Sequence, residues 1–271
     1  MYFYLYDSFL QNAKYSKELD RMETRLMDMG IGGKIGKLSL LKNAKEFVRE
    51  ALKKGAQNII CVGNDQTLAS VFEVVAEQNA TLGYIPIEGE GAHRFANMIG
   101  MPFGEASCDI LSKRMIAQVD IGRINETLFL FYVEAEKNDV VIQSEKGYKI
   151  IPLEKKSRVL ICNCNYLPEL HLQKKDGLSF TSGVLYAIVA PLAAPKTFLG
   201  GLFANKRLQK KAFLNTIIPF SEMTLTSNIA EKGEEIALTV DERKVIKTPV
   251  KISVVPAGLK LIVGKNRQIT E

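Results

Sequence analysis

The sequence predicts an α/β domain on a mostly parallel sheet, followed by an antiparallel β-sandwich. Two observations carry this. Over the first 105 or so residues, short apolar runs alternate with segments whose apolar residues recur at helical spacing, the order expected of a βαβ layer structure. From about residue 112 the pattern changes to repeated strand-like runs, as in a sandwich or barrel. A chain of 271 residues with 46% hydrophobic content can bury two cores of ordinary size.

The aromatic run 2–6 (YFYLY) reads as the first strand. Residues 14–29 place Leu19, Met22, Leu26 and Met29 on one helical face, and the pattern stops at Gly30. In the glycine-rich stretch 30–37 (GIGGKIGK), Ile31 stands where a Walker loop needs its first glycine and Leu38 follows the lysine. Ile35 likewise occupies the third glycine position of the dinucleotide fingerprint, so the stretch reads as a turn into the second strand. Residues 41–54 form a second amphipathic helix closed by Gly55, 58–62 (NIICV) a buried strand running into Gly63, 68–78 a helix and 82–87 a strand. Nine runs follow: 118–122, 127–135, 139–143, 148–152, 158–166, 183–191, 223–228, 235–240 and 250–256. One helical interruption, about 195–213, sets Lys196, Lys206, Arg207, Lys210 and Lys211 beside Phe198, Leu199, Leu202 and Phe203. Such a helix either lies on anionic lipid or packs, solvated, on the sandwich.

No apolar run reaches the roughly 18 residues that cross a bilayer, and the aromatic start lacks a basic leader region and a cleavage site. A cytoplasmic location is expected, with a peripheral membrane surface as the further site that the basic helix allows. Cys61, Cys108, Cys162 and Cys164 are scattered, which favours reduced thiols; Cys162 and Cys164 share a strand face and read as core. With only His93 and His171, zinc has little support. The excess of 36 basic over 30 acidic residues is dispersed, consistent with an anionic ligand or membrane surface and with no nucleic-acid partner. Oligomeric state and metal ligands stay open.

The most informative turn is Gly63, Asn64, Asp65, Gln66, Thr67, because it leaves an apolar strand and opens a helix, where N–H groups and the helix dipole favour an anion. Asp65 also fits a plain helix cap. After this turn come Gly83-Tyr84-Ile85-Pro86, Phe95 to Pro102 (FANMIGMP), Gln118 to Asn125 (QVDIGRIN) and, near the end, Thr248 to Ala257 (TPVKISVVPA) running to Val263. In this order the segments resemble the diacylglycerol kinase catalytic family, of the lipid kinase and NAD kinase-like superfamily, whose hallmark turn is Gly-Gly-Asp-Gly-Thr. An NAD kinase relative ranks behind the lipid-kinase branch, which the last two segments favour.

The resemblance implies a nucleotide-binding domain over 1–112, a substrate-binding β-sandwich over 113–255, and a segment 256–271 returning to the first domain. It also implies ATP and magnesium as cofactors, and a lipid or small-molecule ligand whose hydroxyl is phosphorylated. Gly63, Asn64, Asp65, Gln66 and Thr67 then fall at the nucleotide turn, and Glu88, Gly89, Glu90, Gly91, His93 and Arg94 in the substrate loop. Asp241 and Glu242 fall at the catalytic Asp-Gly-Glu. The family's glycines are replaced by Asn64 and Gln66, and its Asp-Asp-Gly by Thr181-Ser182-Gly183; Arg243 stands at the proposed base unless a one-residue slip puts Glu242 there. The resemblance therefore leaves two readings: a lipid kinase with a remodelled site, or a family member that binds lipid or nucleotide without transferring phosphate.

Overall fold

Strands apolar along their whole length are buried on both faces, and the first half of the chain follows that rule. The computed structural model describes residues 1–39, 43–135, 139–145, 147–152, 157–163, 179–191, 216–228 and 234–268. It divides into two compact units, Met1–Ile121 with Ser179–Gly183 and Val255–Glu271, and Gly122–Leu178 with Val184–Val254.

The first unit contains β1 (Tyr2–Tyr6), α1 (Ser16–Asp28), β2 (Gly33–Lys37), α2 (Ala44–Lys53), β3 (Asn58–Gly63), α3 (Asp65–Glu77), β4 (Thr81–Pro86), α4 (Arg94–Ile99) and α5 (Ala106–Lys113). β5 (Ile116–Ile124) then leads out of it. Every residue of β1, β3 and β4 is buried. The strands run parallel in the order β2-β1-β3-β4. The chain therefore reverses its direction of winding between β1 and β3, and ligands of such sheets bind beyond the carboxyl ends at that point. β2 lies inside the glycine-rich stretch expected to be a turn; Gly33 and Gly36 permit it, since a Cβ on either would meet the Tyr2 carbonyl or the Phe3 ring.

The second unit contains β6 (Thr127–Phe129), β7 (Tyr132–Ala135), β8 (Val140–Ser144), β9 (Lys149–Ile150), β10 (Ser157–Cys162), β11 (Leu185–Pro191), β12 (Thr216–Phe220), β13 (Glu222–Ser227), β14 (Ala237–Val240) and β15 (Lys244–Lys247). One antiparallel sheet has the order β12-β11-β10-β7-β14-β15 and the other includes β13-β8-β9. Their inward residues form one core, Val133, Val159, Ala187 and Leu238 from the first and Ile142 and Leu225 from the second. Alternating buried positions on two antiparallel sheets require such a shared core.

The last strand, β16 (Val250–Ile262), pairs antiparallel with β13 at its start. At its end Lys260 and Leu261 pair parallel with Thr81 and Leu82 of β4, and the Val263 N–H donates to the Met115 carbonyl. The closing segment thus returns to the first sheet. The basic segment 195–213, Cys164 and His171 lie outside the described residues. Among those described, no helix is long and apolar enough to cross a membrane.

Candidate nucleotide turn and hydroxyl-facing turn

The candidate site in the first unit starts from Gly63, whose φ of +151° and lack of Cβ are both needed, because a Cβ would lie 2.7 Å from Thr67 Oγ1 and 2.8 Å from Asp7 Cβ. α3 begins directly after it, and its capping decides what the turn can bind. The Asn64 side chain accepts the Thr67 N–H at 3.0 Å, while Thr67 Oγ1 accepts the Asn64 N–H at 3.2 Å, a reciprocal capping box. The Asp65 N–H donates to the Ala92 carbonyl at 2.8 Å. A helix start has four N–H groups without intrahelical partners, and a phosphate binds there through them. Those of Asn64, Asp65 and Thr67 are already engaged within the protein.

The crevice between β1 and β3 is bridged as well. The Thr67 hydroxyl donates to Asp7 Oδ2, and Asp7 Oδ1 accepts the Phe9 N–H at 3.3 Å, capping the short turn Ser8–Gln11 that follows β1. Asp65 is fully buried; its carboxylate accepts from the Tyr84 hydroxyl at 3.1 Å and from the Phe95 N–H at 3.1 Å, tying the turn to β4 and α4.

The loop carrying Glu88, Gly89, Glu90, Gly91, His93 and Arg94 lies against this turn. Asn64 Nδ2 donates to the Glu90 carbonyl at 2.9 Å, and the Ile87 N–H to the Gly63 carbonyl at 2.9 Å. Gly91, at φ +88°, permits the approach, since a Cβ there would sit 2.6 Å from Asn64 Nδ2. His93 packs its ring on Phe103 at 5.2 Å. Glu88 and Glu90 are exposed, and Glu88 lines a cavity of about 680 Å³ with Glu18, Arg21, Arg25, Glu105 and Asp109. Arg25 there is paired to Asp109 at 2.8 Å. A cavity with four carboxylates and two guanidiniums repels a triphosphate.

Asp120 and the turn Thr181-Ser182-Gly183 also meet in the first unit. Asp120, buried, accepts the Gly183 N–H at 2.7 Å and the Ala257 N–H at 2.9 Å. Thr181 and Ser182 are exposed hydroxyls near Ser179. Among the described residues no three His, Cys, Asp or Glu side chains converge. Magnesium is held by carboxylates with phosphate and water, and here Asp65 and Asp120 have their oxygens on protein donors and the turn offers only hydroxyls. These residues do not fit a magnesium site.

Asp241 and Glu242 lie in the second unit, in the hairpin turn between β14 and β15, at φ +47° and +57°. Two successive positive φ values, with the Arg243 N–H on the Val240 carbonyl at 3.0 Å, make a type I′ turn. Asp241 is buried and accepts three backbone N–H groups, Leu130 at 2.7 Å, Phe131 at 2.8 Å and Tyr132 at 3.0 Å. Burial pushes its carboxyl up to about 6, against the pull of those three donors and of Arg243. Both oxygens serve the interruption between β6 and β7, where the sequence suggested one strand. Glu242 is exposed, and its Oε1 accepts the Tyr132 hydroxyl at 2.8 Å.

A parallel α/β unit with a glycine at its winding reversal, a sandwich unit, and a final strand that rejoins the first sheet together define the fold. Residues 5–124 match the family model of the diacylglycerol kinase catalytic domain. Over those residues, a little under half of its length, the chain is similar to the diacylglycerol kinase catalytic domain family. A solved structure of a diacylglycerol kinase from Bacillus anthracis str. Sterne is 17% identical, covers 97% of both chains and superposes with a TM-score of 0.75. A second structure from the same organism is 16% identical over 97% of both chains with a TM-score of 0.76. At that identity the likeness is one of fold. No curated protein sequence matches the chain.

Proposed function

We propose that this protein is a diacylglycerol-kinase-like binding protein that does not transfer phosphate at a useful rate. The observation that carries the reading is the closed nucleotide turn: three N–H groups that a phosphate would need are held by Asn64, Thr67 and Ala92, and Asp7 stands in the crevice. Phosphoryl transfer relies on positioned donors, metal and charge, so occupying the donors removes the main source of catalysis. The hydroxyl-facing turn supports the same reading. Asp241 is committed to backbone donors, and Arg243, which follows Glu242, cannot accept a proton.

The ligand that remains is the lipid that the family binds; ATP and magnesium, which family kinases use, have no place in the activity proposed. Glu242 favours the other reading, an active kinase, in one respect, being an exposed carboxylate oriented by Tyr132. A radiolabelled-phosphate assay over mixed lipids separates the two. No transfer above background is expected, together with retention on diacylglycerol-containing vesicles. Saturable transfer lost in Asp65→Ala or Glu242→Gln overturns the proposal.

A further inference from the structure

Tyr2, Asn58, Thr81 and Lys260 are successive register partners across β1, β3, β4 and β16, at the amino-terminal end of the sheet. Register partners in parallel strands direct their side chains to one face. A cavity of about 430 Å³ lies at this end, lined among others by Asn58, Gln78, Asn79, Thr81, Arg114 and Lys260. Asn58 is 2% exposed, and its Oδ1 has no hydrogen-bond partner among the described residues; nor has the buried hydroxyl of Tyr2, its neighbour in the row. Buried polar atoms in native folds are almost always paired, so an orphaned acceptor in the wall of a polar cavity marks a place where a ligand donor belongs. The cavity wall contains no carboxylate. Arg114 and Lys260 form no ion pair among the described residues, and the Arg114 guanidinium lies 5.9 Å from the centre of the Tyr2 ring. Arg114 also holds φ +49° at the end of α5, a left-handed position where glycine is the usual residue.

From these observations we infer a second binding site, for a small phosphorylated polyol, at the amino-terminal ends of β3 and β4. Two cations without a carboxylate select a phosphate, and the amides of Asn58, Gln78 and Asn79 with the Thr81 hydroxyl select hydroxyl groups. The Asn58 oxygen needs a donor, which a polyol hydroxyl supplies and a phosphate dianion does not. The volume suits a ligand of this size. The site stands at the opposite end of β3 from Gly63, about 17 Å along the strand, and is independent of the function proposed above.

The test titrates the full chain with sn-glycerol 3-phosphate, inorganic phosphate and glycerol at constant ionic strength, by calorimetry and thermal shift. Saturable binding of glycerol 3-phosphate is expected, at least tenfold tighter than phosphate, with none for glycerol. Arg114→Gly, which keeps the left-handed backbone and so folds, and Lys260→Gln each weaken it at least tenfold, and Thr67→Val leaves it unchanged. A sedimentation arm with phosphatidylglycerol vesicles assigns the source, a lipid headgroup if Arg114-dependent pelleting accompanies binding and a soluble ligand if it does not. Absence of saturable glycerol 3-phosphate binding, equal affinity for bare phosphate, or binding indifferent to both substitutions overturns the inference.

Discussion

Replacing Asp241 by alanine separates a structural carboxylate from a catalytic one. The substitution leaves three buried N–H groups, those of Leu130, Phe131 and Tyr132, without their acceptor. An orphaned buried donor costs about 2 kcal/mol, so the three together cost about 6 kcal/mol. Removing the carboxylate also relieves its burial penalty at neutral pH, which offsets part of that loss, since burial outweighs the same donors in raising the group from 3.8 to about 6. The net expectation is a loss of about 2–4 kcal/mol, which for a unit of this size lowers Tm by roughly 6–16 °C. Differential scanning calorimetry at pH 7.5 on the native chain and Asp241→Ala measures it. An unchanged melting profile together with loss of a lipid-phosphorylating activity would refute the structural role.

Further outcomes follow from the same geometry. Because the folded-state value for Asp241 lies above its ordinary one, ionisation destabilises the fold. The stability difference between the native chain and Asp241→Asn should therefore decline by up to about 3 kcal/mol as pH rises from about 4 to about 6 and stay flat above, measured by urea unfolding across pH. Asn64→Ala removes the cap of α3 and the contact to the Glu90 carbonyl, and should cost about 1–2 kcal/mol in the same assay. Burial pushes the Cys61 thiol well up and Cys108 to about 11. Both should resist a maleimide at pH 7.5 until the protein is denatured, as read by peptide mass mapping.

The parts of the fold legible in the sequence are those with a long or pure period. β1 and β3 are uninterrupted apolar runs, and α1 shows four turns of spacing with Leu19, Met22 and Leu26 buried as read. α4 and α5, of six and eight residues, are too short to display a helical period, and the β15 run KVIK leaves two lysines and Val245 exposed. β2, read as a turn, has one buried residue in five because it is an edge strand whose glycines face Tyr2 and Phe3.

The turn at Gly63 to Thr67 was legible because an apolar strand running into glycine and an Asp-x-Thr start has a fixed physical meaning. What holds the aspartates of the candidate sites was not. Asp7 meets Thr67 across 60 residues, Asp120 meets Ala257 across 137, and Asp241 meets Leu130 across 111. The one local signal was an Asp-Ser pair directly after an aromatic strand, the pattern of a cap. Asp120 and Asp241 carried no such signal, and all three aspartates meet donors that only the tertiary fold brings to them.

Calorimetric titration of the full chain with ATP, with and without magnesium, reads whether the capping network of Gly63 to Thr67 closes the turn to a triphosphate. No saturable heat is expected up to 1 mM nucleotide, a limit that corresponds to binding weaker than about 4 kcal/mol. A micromolar Kd with ATP, strengthened by magnesium and lost in Asp65→Ala, would contradict it.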